Sequence, residues 1–148
     1  MLAKEFNNYQ DWHKTIVKIR FADLDKLAHV NNAKYLTYIE SARIEYFQKI
    51  VGEEVNWSEK GIILAKASID FLLPIQLEDV EVFVYTKCTR TGSKSFDLSY
   101  VIAKDKGTTV VSTGSTAMVC FNYTQNKTIE IPEDWRAKNG RASCRERV

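Results

Sequence analysis

The stretch "RFADLDKLAHVNNAKYLTYIESARIEYF", residues 20–47, joins a polar loop directly to an amphipathic run, and the rest of the chain is organised around it. Tyr35, Ile39, Ala42, Tyr46 and Ile50 recur at spacings of four and three, with Tyr38 beside them. Lys34, Thr37, Ser41 and Gln48 fall on the opposite side. That period is helical, and the run is long enough for about four or five turns. Asn31 or Asn32 stands where an N-cap belongs, and Gly52 can end the helix.

Upstream of the loop, "KTIVKIRF" alternates Ile16, Lys18 and Arg20 with Val17, Ile19 and Phe21, the period of a strand. Downstream of Gly61 almost everything reads as strand. "IILAKASIDFLL" places Ile63, Ala65, Ala67, Ile69 and Phe71 on one face. "DVEVFVYTKCT", "FDLSYVIAK" and "TTVVSTGSTAMVCFNY" follow, joined by the turns "TRTGSKS" and "DKG". Strands joined by tight turns pair antiparallel. The pattern predicts an α+β domain in which one long helix is wrapped by a curved antiparallel sheet of about five strands. No second layer is visible for the outer face of that sheet, and its open edges favour pairing with another copy as a twofold homodimer.

The chain has 148 residues, 45% hydrophobic and 27% charged, with a net charge of +2. That suits one soluble domain and excludes a dedicated nucleic-acid binder, since no basic face dominates. The last nine residues, "GRASCRERV", hold three arginines and one glutamate; without them 18 basic residues balance 18 acidic ones. Residues 1–136 read as the domain and 137–148 as a disordered or non-native tail. Cys88, Cys120 and Cys144 show neither CxxC nor zinc spacing, and the first two sit in apolar runs as reduced, buried thiols. No segment could serve as a signal peptide or cross a membrane, so the expected location is the cytoplasm.

The loop is where chemistry is expected. An Asp-x-Asp pair such as Asp23 and Asp25 more often serves a turn than a reaction. Here, however, the loop feeds the N-terminus of the longest helix, whose free amides favour a developing negative charge. A carboxylate facing such a site is enough to hydrolyse a thioester, because the leaving thiolate has a conjugate acid near pKa ~8.5 by analogy with cysteine. One carboxylate attacks or activates water while helix amides hold the oxyanion. No metal, cofactor or cysteine is required. His29 alone is more often a packing or hydrogen-bonding residue than a base. Lys87, Arg90 and Lys94 surround the "TRTGSKS" turn, either as a solvated hairpin tip or as a phosphate cradle.

The same stretch resembles the signature of the hot-dog-fold acyl-CoA thioesterases of the 4-hydroxybenzoyl-CoA thioesterase group. Asp25, His29, Asn31, Asn32 and Tyr35 carry the likeness, which covers roughly residues 14–132. The resemblance implies Asp25 as the catalytic nucleophile or general base and the Asn32 backbone N–H as oxyanion donor. Asn31, Tyr35, Lys94, Ser95 and Arg90 become substrate contacts, with Lys94 and Ser95 at the phosphate end of CoA. It implies sites formed between two subunits of a homodimer, often assembled into tetramers, acting on an acyl-CoA or acyl-carrier-protein thioester. Ala28 departs from the glycine common in relatives. Competing readings are a hot-dog hydroxyacyl-thioester dehydratase or hydratase, in which His29 would act as base, and a non-catalytic acyl-CoA-binding module.

Overall fold

The computed structural model describes residues 2–52 and 57–144. Strand β1 (His13–Lys18) leads through the polar loop to helix α1 (Asn32–Tyr46), which closes in a π-helical turn, Phe47–Val51. Strands β2 (Gly61–Phe71), β3 (Glu81–Thr91), β4 (Ser95–Lys104) and β5 (Thr109–Asn122) follow, then a two-residue β6 (Lys127–Thr128) and helix α2 (Glu133–Cys144). The sheet order is β1-β3-β4-β5-β2, every pair antiparallel, with β6 on the end of β5. This is the hot-dog arrangement, a curled sheet around a central helix. No described helix is long and apolar enough to cross a membrane.

Helix α1 forms where its period places it. Asn31 is the N-cap, its Oδ1 accepting the Ala33 amide at 3.0 Å, and Gly52 ends the run at φ +118°. Tyr35, Tyr38, Ile39, Ala42 and Tyr46 are its buried face. They pack on inward residues of the sheet, Val82 and Val84 of β3, Phe96, Leu98 and Ile102 of β4, and Met118 and Cys120 of β5. Each large apolar side chain buried there contributes roughly 1.5–3 kcal/mol, which is what holds a helix with so polar an outer face in place. Cys88 and Cys120 are buried, and burial pushes the Cys120 thiol up to about 11.

Three expectations need correction. Part of the outer face of the sheet is covered: Phe6 and Trp12 pack with Tyr85, Val101 and Ala103, and Leu2 and Tyr9 add to this second cluster. Tyr9 Oη and Gln10 Nε2 both donate to the Gly107 carbonyl in the β4–β5 turn, at 2.7 and 3.0 Å. A Cβ on Gly107, itself at φ +90°, would collide with the Tyr85 hydroxyl, so only glycine fits beneath that clasp. The short 3-10 turns of this segment have no period to betray them. Second, the even alternation Ile63–Phe71 is broken, because the β2–β5 register shifts between Leu64 and Lys66. Ala65 is the extra residue of a bulge, a common feature of edge strands. Third, the supposed tail from residue 137 continues α2 as far as Cys144. Its Asn139 is fully buried and its Oδ1 accepts the Tyr46 hydroxyl at 2.9 Å. Residues 145–148 of that tail lie outside the described residues.

Candidate active site

After β1 the chain makes a 3-10 turn, Phe21–Asp23, and points Asp23 inward, where it is 1% exposed. Its Oδ2 accepts the Tyr38 hydroxyl at 2.7 Å and the Arg20 amide at 3.0 Å, and the Arg20 guanidinium lies 3.3 Å from Oδ1. Burial alone would push this carboxyl up. The Arg20 amide, the Tyr38 hydroxyl and the Arg20 charge outweigh burial and hold it below its ordinary value. Tyr38 is pushed far up by burial and by its carboxylate partner. Asp23 is therefore a charged strut beneath the loop at neutral pH.

Asp25 is placed differently. The loop closes on itself, the Asp25 amide donating to the His29 carbonyl at 2.8 Å and the Ala28 amide to the Asp25 carbonyl at 3.1 Å. Asp25 Oδ1 accepts the amides of Leu27 and His29 at 2.9 and 3.3 Å. Oδ2 accepts no hydrogen bond among the described residues, and the side chain is exposed. The carboxylate is thus oriented by one oxygen and open at the other. Ala28 turns the loop at φ +63°, a left-handed conformation that favours glycine.

At the helix entrance the Asn31 amide donates to the Asp23 carbonyl at 2.9 Å, and the Lys34 amide donates to the Asn31 carbonyl at 2.8 Å. The Ala33 amide is taken by the Asn31 side chain. The Asn32 amide is left without a partner among the described residues. Asp25, His29, Asn32 and Tyr35 line one cleft of ≈ 400 Å³, closed on its other side by Phe71, Leu72, Leu73 and Pro74. Tyr35 is buried, donating to the Leu73 carbonyl at 3.3 Å and standing edge-on to the Phe71 ring at 5.0 Å. Asn31 spends its side-chain oxygen on the cap and does not line the cleft.

The remaining expected contacts lie elsewhere. Arg90 grips Asp97 through Nε and Nη2 at 2.8 and 3.2 Å and donates to Ser95 Oγ at 2.9 Å, so its charge is already matched. Lys94 is exposed at the tip of the β3–β4 turn, whose backbone is tied by the Cys120 amide to the Lys94 carbonyl at 2.9 Å. Ser95 pairs with Val119, and Val119 with Ile63, so this turn lies level with the start of β2. The Asp25 cleft lies level with the end of β2, at Phe71 and beyond. Eight residues of strand separate the two, about 26 Å at the usual rise. Within one chain, Lys94 and Asp25 do not meet. A mostly apolar hollow of ≈ 720 Å³ lies at the Lys94 end, between Phe47, Ile62, Leu64 and Tyr123. Sequence reasoning missed the wall Phe71–Pro74, although an apolar "FLLP" running past the strand end was its signal.

This geometry meets a known pattern. The thioesterase-like superfamily matches residues 19–138. The chain belongs to that superfamily. It is a thioesterase by that membership and by its likeness to proteins of the class. It is 26% identical over 128 residues to the long-chain acyl-CoA thioesterase FadM of Escherichia coli, spanning 84% of this chain and 95% of that protein. The Bacillus subtilis protein YsmA is 27% identical over 131 residues, spanning 85% and 87%. A crystal structure of a thioesterase from Thermus thermophilus, complexed with coenzyme A and zinc, is 33% identical, with a TM-score of 0.77 over 88% of this chain and 93% of that one.

Proposed function

We propose that the protein hydrolyses an acyl-CoA thioester at a site shared by two copies of the chain. The observation that carries this reading is the open Asp25 oxygen in the same cleft as the unengaged Asn32 amide. The thioester carbonyl oxygen accepts from that amide, and the helix dipole adds to the stabilisation of the tetrahedral oxyanion. Asp25 either attacks the carbonyl carbon or takes a proton from an attacking water; collapse expels the thiolate, and water supplies the acid's new oxygen. His29 stands at the rim of the cleft, and Tyr35 shapes the wall. Asp25 and Asn32 suffice for the scheme as written.

The separation of Asp25 and Lys94 supports a homodimer. Strand β2 is an open edge, and Leu72 and Leu73 beyond it are 50% and 45% exposed. A twofold pairing of β2 with its copy turns the Lys94 end of one chain toward the Asp25 end of the other. Lys94 and Ser95 of the partner then receive the phosphate end of CoA, while Arg90 stiffens the turn. The apolar hollow arrives beside the cleft with room for an acyl chain. Further assembly to a tetramer would use surface other than the patch covered by Phe6 and Trp12.

The test is turnover on a panel of acyl-CoAs followed with a thiol-reactive dye. Hydrolysis releases free thiol, whereas hydration or simple binding does not. A folded protein that binds CoA esters without releasing thiol from any of them overturns the reading.

A further inference from the structure

Resting on the proposed homodimer, we infer that two copies pair β2 against β2 with Ser68 opposite itself, fixed by two reciprocal ion pairs between Lys66 and the partner's Asp70. Beyond the bulge at Ala65, alternation divides β2 cleanly. Ile69 packs on the core and Phe71 on Tyr35, so Ala67, Ile69 and Phe71 face inward. Ser68 and Asp70 line a hollow of ≈ 240 Å³ on the outer side, under the N-terminal segment, and Lys66 shares their face. Lys66 and Asp70 are exposed, and neither makes an ion pair among the described residues. Asp70 also shares its hollow with Glu5, a like charge that a neighbouring cation would offset.

A twofold antiparallel pairing sets residues of the same face opposite each other, and its centre decides which. Centred on Lys66, the two lysines oppose each other; centred on Asp70, the two aspartates do. Centred on Ala67, Lys66 meets the partner's Ser68, and centred on Ile69 it meets the partner's Leu72. Only the Ser68 centre sets each Lys66 against the partner's Asp70, and it does so twice. Opposite charges placed directly across a ladder stabilise it, and like charges destabilise it.

The same register is compatible with the shared site. Pairing about Ser68 brings the partner's Ile63 and Leu64, beyond its bulge, to the level of Leu73. Ile63 is level with Ser95, and Leu73 is a wall of the Asp25 cleft. The partner's Lys94 turn therefore arrives at the Asp25 end of the sheet, where the phosphate end of an extended CoA can reach it while the thioester lies in the cleft. Lys66 and Asp70 are thus positioning residues, setting the register in which the shared site is complete.

Cysteine trapping tests the register directly. In a Cys144→Ser background, Lys66→Cys, Ala67→Cys and Ser68→Cys are each oxidised and run on a non-reducing gel. A disulfide needs Cα atoms within about 7 Å, so only the residue at the centre cross-links efficiently to its own copy. Ser68→Cys should form the covalent dimer. Preferential cross-linking at 66 or 67, or none at any position, overturns the inference. Charge exchange supplies the second arm. Lys66→Asp and Asp70→Lys alone should each raise the dimer dissociation constant about tenfold to a hundredfold, and mixing the two variants should restore both association and thiol release. A mixture no tighter than either variant alone rules the ion pairs out. Trapping is read without substrate, so a correct register in a protein that hydrolyses nothing would count against the thioesterase reading only.

Discussion

Asp23 and Asp25 are separated by one residue yet face opposite ways. Asp23 is 1% exposed and receives the Tyr38 hydroxyl at 2.7 Å, whereas Asp25 is exposed with one carboxylate oxygen open to the cleft. The 3-10 turn at Phe21–Asp23 and the Leu24–Val30 bridge separate them. One carboxylate supports the loop while the other is presented by it.

Asp25→Asn should lower hydrolysis at least about a hundredfold, the scale of losing a catalytic acid-base group, with substrate affinity and folding unchanged. Asp23→Asn should instead lower stability by about 1–3 kcal/mol, the cost of disturbing a buried charge-assisted network. Kinetics and urea unfolding on both variants check this. Near-normal turnover in folded Asp25→Asn would sink the mechanism.

The Asp23 carboxyl sits below its ordinary value in the folded protein. Its contribution is therefore fully present above the unfolded value, near pH 4, and is lost as pH falls through the folded value. The stability gap between wild type and Asp23→Asn should shrink on acidification below about pH 4. Tyr38→Phe removes one of the bonds that hold the value down and should move that loss to higher pH. A gap independent of pH would show that the Asp23 charge contributes nothing.

What the sequence revealed was short-range. The period of α1, its Asn31 cap and the Asp25 loop each lie within a few residues and could be read directly. What escaped needed partners distant in sequence. The bulge at Ala65 exists only in the register with β5, and Arg90 is neutralised by Asp97 only once the hairpin folds. Phe6, Tyr9 and Trp12 follow no period because they pack as separate plugs on a finished sheet. Helix α2 has no continuous apolar face, and its anchors, Trp135 and Asn139, are single residues meeting the end of α1.

Ala28→Gly should stabilise the loop. Ala28 sits at φ +63°, where a Cβ costs roughly 1–2 kcal/mol, partly offset by glycine's greater freedom when unfolded. A net gain of a few tenths to about 1 kcal/mol is expected, with activity retained. Thermal unfolding of the two proteins measures it, and a lower midpoint for the glycine variant would contradict the strained geometry.

Trp135→Ala should cost about 3–5 kcal/mol, as for other large buried aromatics. Trp135 is 1% exposed, with ring centroids 6.4 Å from Phe47 and 5.7 Å from Trp57. Removing residues from Gly140 onward should leave folding and activity intact, since Trp135 and Asn139 both remain. A truncated protein as unstable as Trp135→Ala would show that the last turns of α2 carry the packing.

Lys94 provides the test of the shared site. It is exposed and remote from the reacting carbonyl, so it acts as a point charge on the phosphate end of the substrate. Lys94→Ala should weaken ground-state and transition-state binding together, raising KM with kcat nearly unchanged. The effect should shrink as salt rises, because an exposed pair is screened over roughly 8 Å at physiological ionic strength. An N-acetylcysteamine thioester has no phosphate to lose, and on it the variant should behave as wild type. Lys94 lies about 26 Å along the sheet from its own chain's cleft, and in the proposed dimer it serves the partner's Asp25. Mixing Lys94→Ala with Asp25→Asn subunits should therefore yield hybrid dimers that pair one intact site with one doubly impaired site. Those hybrids should show the wild-type KM on the CoA ester at about half the wild-type kcat. Hybrids that retain the raised KM of Lys94→Ala would place both residues in one chain's site and rule out the shared arrangement.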